Sequence, residues 1–138
     1  MKKPTKNDLA AYLGIGLLIL YILYSKGIIL ADFHFISPQE AAQTIKNEEN
    51  NVTILDVRTV AEYKSLGYIE NAVLIPLGEL ENNLDAFQKF KDKKILVYCA
   101  TGNRSISASR ILHANGFHTY NINGGINGWR NSGYHTLK

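Results

Sequence analysis

The chain opens with one long apolar run and continues as short apolar runs separated by polar segments. Leu9–Tyr24 contains no charged residue, and after a Ser-Lys-Gly interruption the apolar run resumes and ends at Ala31. A helix over residues 9–31 would span about 34 Å, enough to cross the hydrocarbon core of a bilayer, which is about 30 Å thick. Because apolar residues occupy every face, the pattern predicts one transmembrane helix rather than a buried core helix.

From Phe35 onward, short β-rich runs alternate with helical patterns. The pattern predicts strands at residues 52–55, 72–75, 95–98 and 118–121, and helices at 38–47, 60–64, 79–87, 103–115 and 126–131. Ser37 and Glu40 form a capping box around Pro38, which marks the first of these helix starts. The 95–98 run is wholly apolar or aromatic and is therefore predicted to be the central strand. Alternating strands and helices predict an α/β fold with a parallel sheet and helices on both faces.

The charges divide the chain into two parts. The net charge of +3 arises from 15 Lys and Arg against 12 Asp and Glu, and all of the excess lies in residues 1–31. Residues 32–138 carry 11 basic and 11 acidic side chains, so this part is neutral and is not expected to bind nucleic acid. The single cysteine excludes a disulfide framework and a multi-cysteine zinc site. The four histidines lack metal-ligand spacing, so we expect neither a metal nor another cofactor.

The lysines before the apolar run set the expected topology. By the positive-inside rule they stay in the cytoplasm, which predicts a cytoplasmic tail at residues 1–8, a signal-anchor helix at 9–31 and an extracytoplasmic (periplasmic) domain at 32–138. A cleaved signal peptide, which would release a secreted domain, is the alternative. Ser25 and Gly27 offer small residues one and three positions before a cut, but a lysine separates them, so we favour the uncleaved anchor.

The candidate chemistry follows the predicted central strand. Cys99 comes directly after it, and the next six residues lead into a helix: Ala100, Thr101, Gly102, Asn103, Arg104 and Ser105. Ligands of open α/β sheets bind beyond the carboxyl ends of the strands, and a tight loop that enters a helix directs backbone N–H groups toward an anion. We therefore expect Cys99 to be a nucleophilic thiolate with a lowered pKa, and Arg104 to supply a fixed cation beside it. A merely buried small cysteine is the competing interpretation, and the order of strand, cysteine, loop, arginine and helix outweighs it.

A second polar group follows the predicted strand at 52–55. Asp56, Arg58 and Glu62 have the types of side chain found in catalytic acid–base sets. More often such residues tie a strand end to the next helix, and we predict this structural role, with Arg58 and Glu62 paired at the i, i+4 spacing. Trp129 is predicted to lie in the core, and Gly124-Gly125 to form a turn rather than a phosphate-binding loop.

Four blocks, in order between residues 36 and 134, carry a family resemblance. They are Asp56-Val57-Arg58 with Glu62-Tyr63, Gly67-Tyr68-Ile69 followed by Asn71-Ala72 and Ile75-Pro76, Cys99 to Ser105, and Asn123-Gly124-Gly125-Ile126 with Gly128-Trp129. Together they resemble the signature motifs of the rhodanese family, with Tyr68 at a position where that family usually has histidine. The resemblance implies a rhodanese-like domain, with a five-stranded parallel sheet and sulfur transfer through a cysteine persulfide.

The expected function is therefore that of a sulfurtransferase. It would move sulfane sulfur from thiosulfate or polysulfide, through a persulfide on Cys99, to a thiol or cyanide acceptor. Cysteine phosphatase or arsenate chemistry is one alternative, but there five residues separate the cysteine from the arginine, whereas four separate Cys99 from Arg104. A non-catalytic rhodanese-like binding module is the other, and the presence of both residues argues against it.

Overall fold

The N-terminal part of the chain contains one long helix. A computed structural model describes residues 5–26 and 33–138, which fall into two units divided between residues 31 and 32. In the first unit, α1 spans Lys6–Ser25, and its 20 residues give a length of about 30 Å. Among the described residues, α1 is the one helix that is long and apolar enough to cross a membrane. The expected continuation of this helix over residues 27–31 lies outside the described residues.

The second unit is an α/β domain built on one parallel sheet. Its elements are β1 (His34–Ile36), α2 (Pro38–Asn47), β2 (Val52–Asp56), α3 (Val60–Leu66), β3 (Val73–Leu74), α4 (Leu84–Phe87), β4 (Lys94–Tyr98), α5 (Asn103–Ala114), β5 (His118–Ile122) and α6 (Gly125–Asn131). The five strands are all parallel and lie in the order β1-β5-β4-β2-β3. The predicted α/β fold with a five-stranded parallel sheet and a central 95–98 strand is confirmed.

Local sequence signals explain where the helices begin. Ser37 and Glu40 form the predicted capping box at the start of α2, and Thr59 and Glu62 form the same device at the start of α3. In each box the side-chain oxygen of the first residue accepts from the backbone of the second, whose carboxylate accepts from the backbone of the first. Two of the helices that support the sheet are thus fixed at their first turn by residues three positions apart.

Strand β1 has no counterpart among the strands predicted from the sequence. It has only three residues, and it lies at the edge of the sheet, where it pairs with β5 alone. A run this short cannot establish a period of two. It is defined by its pairing, since His34, Phe35 and Ile36 lie opposite residues 120–122.

The helix predicted over residues 79–87 is wrong in extent. The chain instead makes separate 3₁₀ turns at Leu77–Glu79 and Glu81–Asn83 before the short α4. The Asn83 side-chain amide donates to the carbonyl oxygen of Glu79 at 2.8 Å. Such a bond offers the backbone carbonyl an alternative partner, which favours turns over a continuous helix.

Strand β4 supplies core residues to both faces of the sheet. Its side chains alternate, so Ile95 and Val97 join the apolar cluster that includes Leu112 of α5, while Leu96 and Tyr98 join the cluster that includes Trp129 of α6. All four of these β4 side chains are fully buried. Trp129 lies in the core as predicted, and its indole N–H donates to the carbonyl oxygen of His135 at 2.9 Å.

A buried ion pair holds the carboxyl end of β2. Asp56 and Arg58 are 0% and 1% exposed, and Arg58 Nη2 donates to Asp56 Oδ2 at 2.6 Å. Arg58 Nε and its backbone N–H both donate to Asp56 Oδ1, at 3.0 and 2.9 Å. The same guanidinium donates to the carbonyl oxygen of Gly67 at 2.8 Å. The pair therefore ties the end of β2 to the turn that follows α3.

Replacing Asp56 with alanine should destabilise the domain by about 3–5 kcal/mol, because it leaves the Arg58 guanidinium buried without its carboxylate. The measurement is urea unfolding of the full chain in detergent, followed by the fluorescence of the single tryptophan. Glu48→Gln is the control, since it breaks the Lys94–Glu48 pair, whose side chains are 40% and 38% exposed, and should cost less than about 1 kcal/mol. Equal costs for the two variants would show that the buried pair does not hold the strand.

Candidate active site

Cys99 lies at the carboxyl end of the central strand and faces inward. The residue is only 1% exposed, and its Sγ accepts hydrogen bonds from the Gly102 backbone N–H at 3.1 Å and from the Ser105 hydroxyl at 3.5 Å. Gly102 has a φ of +106°, a conformation that side chains rarely tolerate, and this turn brings its N–H back over the sulfur. Two of the predicted loop residues, Gly102 and Ser105, therefore donate to the Cys99 sulfur.

The donors around Cys99 favour its ionised form. Burial by itself raises the pKa of the thiol, because a thiolate loses its hydration. The Ser105 hydroxyl and the backbone N–H groups of Ser105, Gly102 and Thr101 outweigh this effect, so the pKa of Cys99 lies below its usual value. The thiolate is the nucleophilic form of cysteine, and the loop stabilises it with oriented dipoles in place of water.

The start of α6 supports the loop from behind. The Cys99 carbonyl oxygen accepts from the Ile126 N–H at 2.9 Å, and the Ala100 carbonyl oxygen accepts from the Asn127 N–H at 3.1 Å. Gly125 has a φ of +58°, and a Cβ at this position would collide with the carbonyl oxygen of Cys99. From the sequence, this glycine is predicted to lie in a turn and belongs to the last of the four motif blocks. The contact between Gly125 and the Cys99 loop could not be predicted from local sequence, because the two segments lie some 25 residues apart.

Arg104 is bound by the carboxylate of Glu62 on α3. Its Nη1 donates to Glu62 Oε2 at 2.8 Å, and its Nη2 donates to Glu62 Oε1 at 2.6 Å. The predicted pairing of Glu62 with Arg58 is therefore wrong. Arg58 precedes α3, which begins at Val60, so the i, i+4 geometry of a helix does not apply to it. Its side chain turns into the core toward Asp56 instead.

This second ion pair keeps its charges over the neutral pH range. The hydrogen bond from Arg104, opposed by partial burial and assisted by Thr59, lowers the pKa of Glu62 to about 2. The hydrogen bond with Glu62 raises the pKa of Arg104. Partial burial opposes this effect, and the negative charge of Glu62, together with the charge of Cys99 and a hydrogen bond to it, assists it. The carboxylate of Glu62 therefore stays ionised until the medium is strongly acidic.

The remaining predicted site residues lie at different depths. Ala100 is half-buried, whereas Thr101 and Asn103 are exposed on the outer side of the loop. Tyr68 stacks on Tyr63 of α3, with ring centroids 4.0 Å apart and planes 9° apart. The aromatic ring at position 68 therefore packs against the residue that follows Glu62, a contact that the sequence analysis did not foresee.

Known proteins share this domain. A family model described as a rhodanese-like domain matches residues 37–132. Among curated proteins, a tRNA uridine(34) hydroxylase of Cronobacter sakazakii is 36% identical over 84 residues, which are 57% of this chain and 24% of that protein. The chain thus aligns with about a quarter of the length of this relative.

Solved structures share the fold over most of the chain. A rhodanese-related protein from Thermoplasma volcanium is 33% identical, with a TM-score of 0.68, over 76% of this chain and 98% of that one. A rhodanese-like domain protein from Staphylococcus aureus is 35% identical, with a TM-score of 0.66, over 77% of this chain and 97% of that one.

Replacing Ser105 with alanine should raise the pKa of Cys99, because it removes the hydroxyl that favours the thiolate. The measurement is the rate of alkylation by iodoacetamide as a function of pH, which reports only Cys99 because the chain has no other cysteine. Ser109→Ala is the matched control. Ser109 lies one turn further along α5, is equally buried, and its hydroxyl finds no hydrogen-bond partner among the described residues. An unchanged pH profile in Ser105→Ala would remove Ser105 from the site.

Proposed function

The chain belongs to the rhodanese-like domain family, and we propose that it is a sulfurtransferase that carries sulfane sulfur as a persulfide on Cys99. One observation carries the proposal. The only thiol of the chain lies at the carboxyl end of the central strand, where hydrogen bonds from Gly102 and Ser105 stabilise its negative charge. A thiolate held in this way is suited to attack an electrophilic sulfur atom.

The proposed reaction has two steps. In the first, Cys99 Sγ attacks the outer sulfur of a donor such as thiosulfate, and the donor S–S bond breaks with its electron pair leaving on sulfite. In the second, a thiolate or cyanide attacks the outer sulfur of the Cys99 persulfide, and the electron pair of that S–S bond returns to Sγ. The enzyme alternates between two covalent forms, so ping-pong kinetics are expected.

The loop residues have distinct roles in this proposal. Cys99 is the nucleophile, and the segment Ala100–Ser105 forms the wall that receives the transferred sulfur. The backbone N–H groups that now face Sγ would stabilise the charge on the persulfide, which extends from the same atom. Asp56 and Arg58 have an indirect, structural role, because their buried pair fixes β2, the strand beside β4. The mechanism needs no metal or cofactor.

Cysteine phosphatase or arsenate chemistry is the competing enzyme function. It uses the same kind of thiolate, but it must also place a tetrahedral oxyanion in the loop and protonate a leaving group. Four residues separate Cys99 from Arg104, one fewer than in the phosphatase pattern. Arg104 is moreover engaged by Glu62, so the geometry favours attack on a single sulfur atom.

The activity for which the curated relative is named is not proposed for this chain. That relative is named for hydroxylation of a tRNA uridine, and about three quarters of it lies outside the alignment. Residues 32–138 have no net charge, whereas nucleic-acid binding requires a basic surface. The proposal therefore takes over only the cysteine-bearing domain that the two proteins share.

Incubation of the full chain in detergent with thiosulfate or polysulfide should add the mass of one sulfur atom, and cyanide should remove it. Cys99→Ser should abolish both the added mass and sulfur transfer to cyanide, while its circular dichroism spectrum stays unchanged. Hydrolysis of an aryl phosphate that depends on Cys99, with no persulfide, would establish phosphatase chemistry instead. Absence of both activities would favour a binding module.

We also propose that the domain is anchored to a membrane. The apolar α1 supports a span within residues 9–31, with residues 1–8 as a cytoplasmic tail and residues 32–138 as the catalytic domain outside the cytoplasm. The lysines ahead of the span carry the orientation, because positively charged flanks are retained in the cytoplasm.

A reporter that is active only outside the cytoplasm should work when it is fused after Lys138. Replacing Lys2, Lys3 and Lys6 with glutamate should scramble this orientation, because it removes the positive flank. Retention of the protein in the membrane after a carbonate wash separates an anchor from a cleaved signal peptide. Activity only from a cytoplasmic reporter would contradict the proposed topology.

A further inference from the structure

The carboxylate of Glu62 competes with Cys99 for the positive charge of Arg104. Arg104 is the only basic residue in the segment 99–105, and both terminal nitrogens of its guanidinium donate to the two carboxylate oxygens of Glu62. The side chains of Arg104 and Glu62 are 36% and 23% exposed, so the pair lies at the rim of the loop, within reach of solvent. The guanidinium of Arg58, at the end of β2, is buried against Asp56.

The contact with Arg104 is additional to the role of Glu62 as a helix cap. Glu62 Oε2 accepts from the backbone and the hydroxyl of Thr59, at 3.0 and 2.9 Å, in the manner of any capping box. Glu40 makes the same box with Ser37 at the start of α2, so the box forms there without Arg104. Arg104 donates to both oxygens of Glu62: Nη1 to Oε2, which the cap also uses, and Nη2 to Oε1. Capping alone therefore does not explain why Glu62 also binds Arg104.

The neutralised arginine changes which donors the loop can accept. Attack of the Cys99 thiolate on thiosulfate brings three negative charges together, and the carboxylate of Glu62 adds a fourth nearby. Attack on the persulfide of a small thiol brings fewer, because the persulfide is neutral or carries one negative charge. Like charges at this range oppose one another unless a cation compensates them.

We propose that Glu62 sets the donor specificity of the Cys99 loop: by occupying Arg104, it disfavours the thiosulfate dianion and favours the persulfide of a low-molecular-weight thiol. The inference rests on the proposed sulfurtransferase function. Glu62 acts through Arg104 and is a positioning residue rather than a catalytic one. Because the carboxylate stays ionised down to a pH of about 2, this preference holds across the neutral range.

The favoured step balances without any further reactant. The Cys99 thiolate attacks the outer sulfur of R–S–SH, a new S–S bond forms to Sγ, and the donor S–S bond breaks. Its electron pair leaves on R–S⁻, and the proton stays on the transferred sulfur or passes to solvent. The persulfide on Cys99 is the same intermediate as in the general proposal, so only the donor differs.

The test compares two donors on two proteins in single-turnover mass measurements of the full chain in detergent. The donors are thiosulfate and an alkyl persulfide with no other charged group, and the proteins are wild type and Glu62→Gln. Glutamine preserves the capping box but not the negative charge. Glu62→Gln should accelerate persulfide formation from thiosulfate on the order of fivefold, and from the alkyl persulfide by less than about twofold. The gain should diminish at high salt.

Two further variants separate this effect from a loss of structure. Glu40→Gln alters the equivalent cap on α2, so it should leave both rates unchanged. Arg104→Gln removes the cation and leaves Glu62 unpaired. The rate of persulfide formation from thiosulfate should therefore fall more than the rate from the alkyl persulfide. In Glu62→Gln/Arg104→Gln, the gain with thiosulfate should disappear, because no cation is left to be freed.

The outcomes distinguish this inference from the proposed function. If wild type forms a persulfide but neither Glu62→Gln nor Arg104→Gln changes the ratio of the two donor rates, the specificity role of Glu62 is wrong and the sulfurtransferase stands. A gain of similar size with both donors would equally contradict it. If wild type forms no persulfide from either donor, the proposed function itself fails.

Discussion

A thiolate at Cys99 needs a substitute for the water that its burial removes. Desolvation alone would keep the sulfur protonated and unreactive, so the N–H groups of the loop and the Ser105 hydroxyl have to outweigh it. Those donors point at the sulfur only because the chain reverses at Gly102 and then enters α5. Much of the local backbone geometry follows from this one requirement. A charged sulfur can exist at the end of a buried strand when the backbone itself supplies the solvation.

The sheet makes that solvation rigid. Strand β4 is central and pairs on both sides, so Cys99 leaves the sheet from its most restrained position. The loop is then held from the far side by α6, whose first turn donates to the carbonyl oxygens of Cys99 and Ala100. This contact requires Gly125, because a side chain there would occupy the space of the Cys99 carbonyl. Gly125 of the last motif is therefore a packing constraint on the loop, although it touches no reacting atom.

Features that depend on neighbouring residues could be predicted from the sequence, and features that depend on distant ones could not. The start of α2, the central strand and the loop from Cys99 to Ser105 follow from local spacing and hydrophobicity. The short β1 is defined only by its pairing with β5. The turns before α4 are an exception, because the Asn83 amide that competes for the Glu79 carbonyl is only four residues away and the hydrophobic pattern does not reveal it. The partner of Glu62 lies 42 residues away, so the i, i+4 spacing of Arg58 and Glu62 pointed to the wrong arginine.

Among the residues that the structure describes, the pairs Asp56–Arg58 and Glu62–Arg104 lie near this end of the sheet, and they differ in burial. The pair of Asp56 and Arg58 is sealed from solvent, so neither partner can be exchanged without leaving a bare charge in the core. The pair of Glu62 and Arg104 lies at the surface, where water and dissolved anions compete for the same groups. The first pair can therefore only maintain the strand beside Cys99. Substitutions in the second pair can alter the electrostatic field around Cys99 at small cost in stability. The donor preference can therefore change through residues at the rim of the loop rather than through those at its buried base.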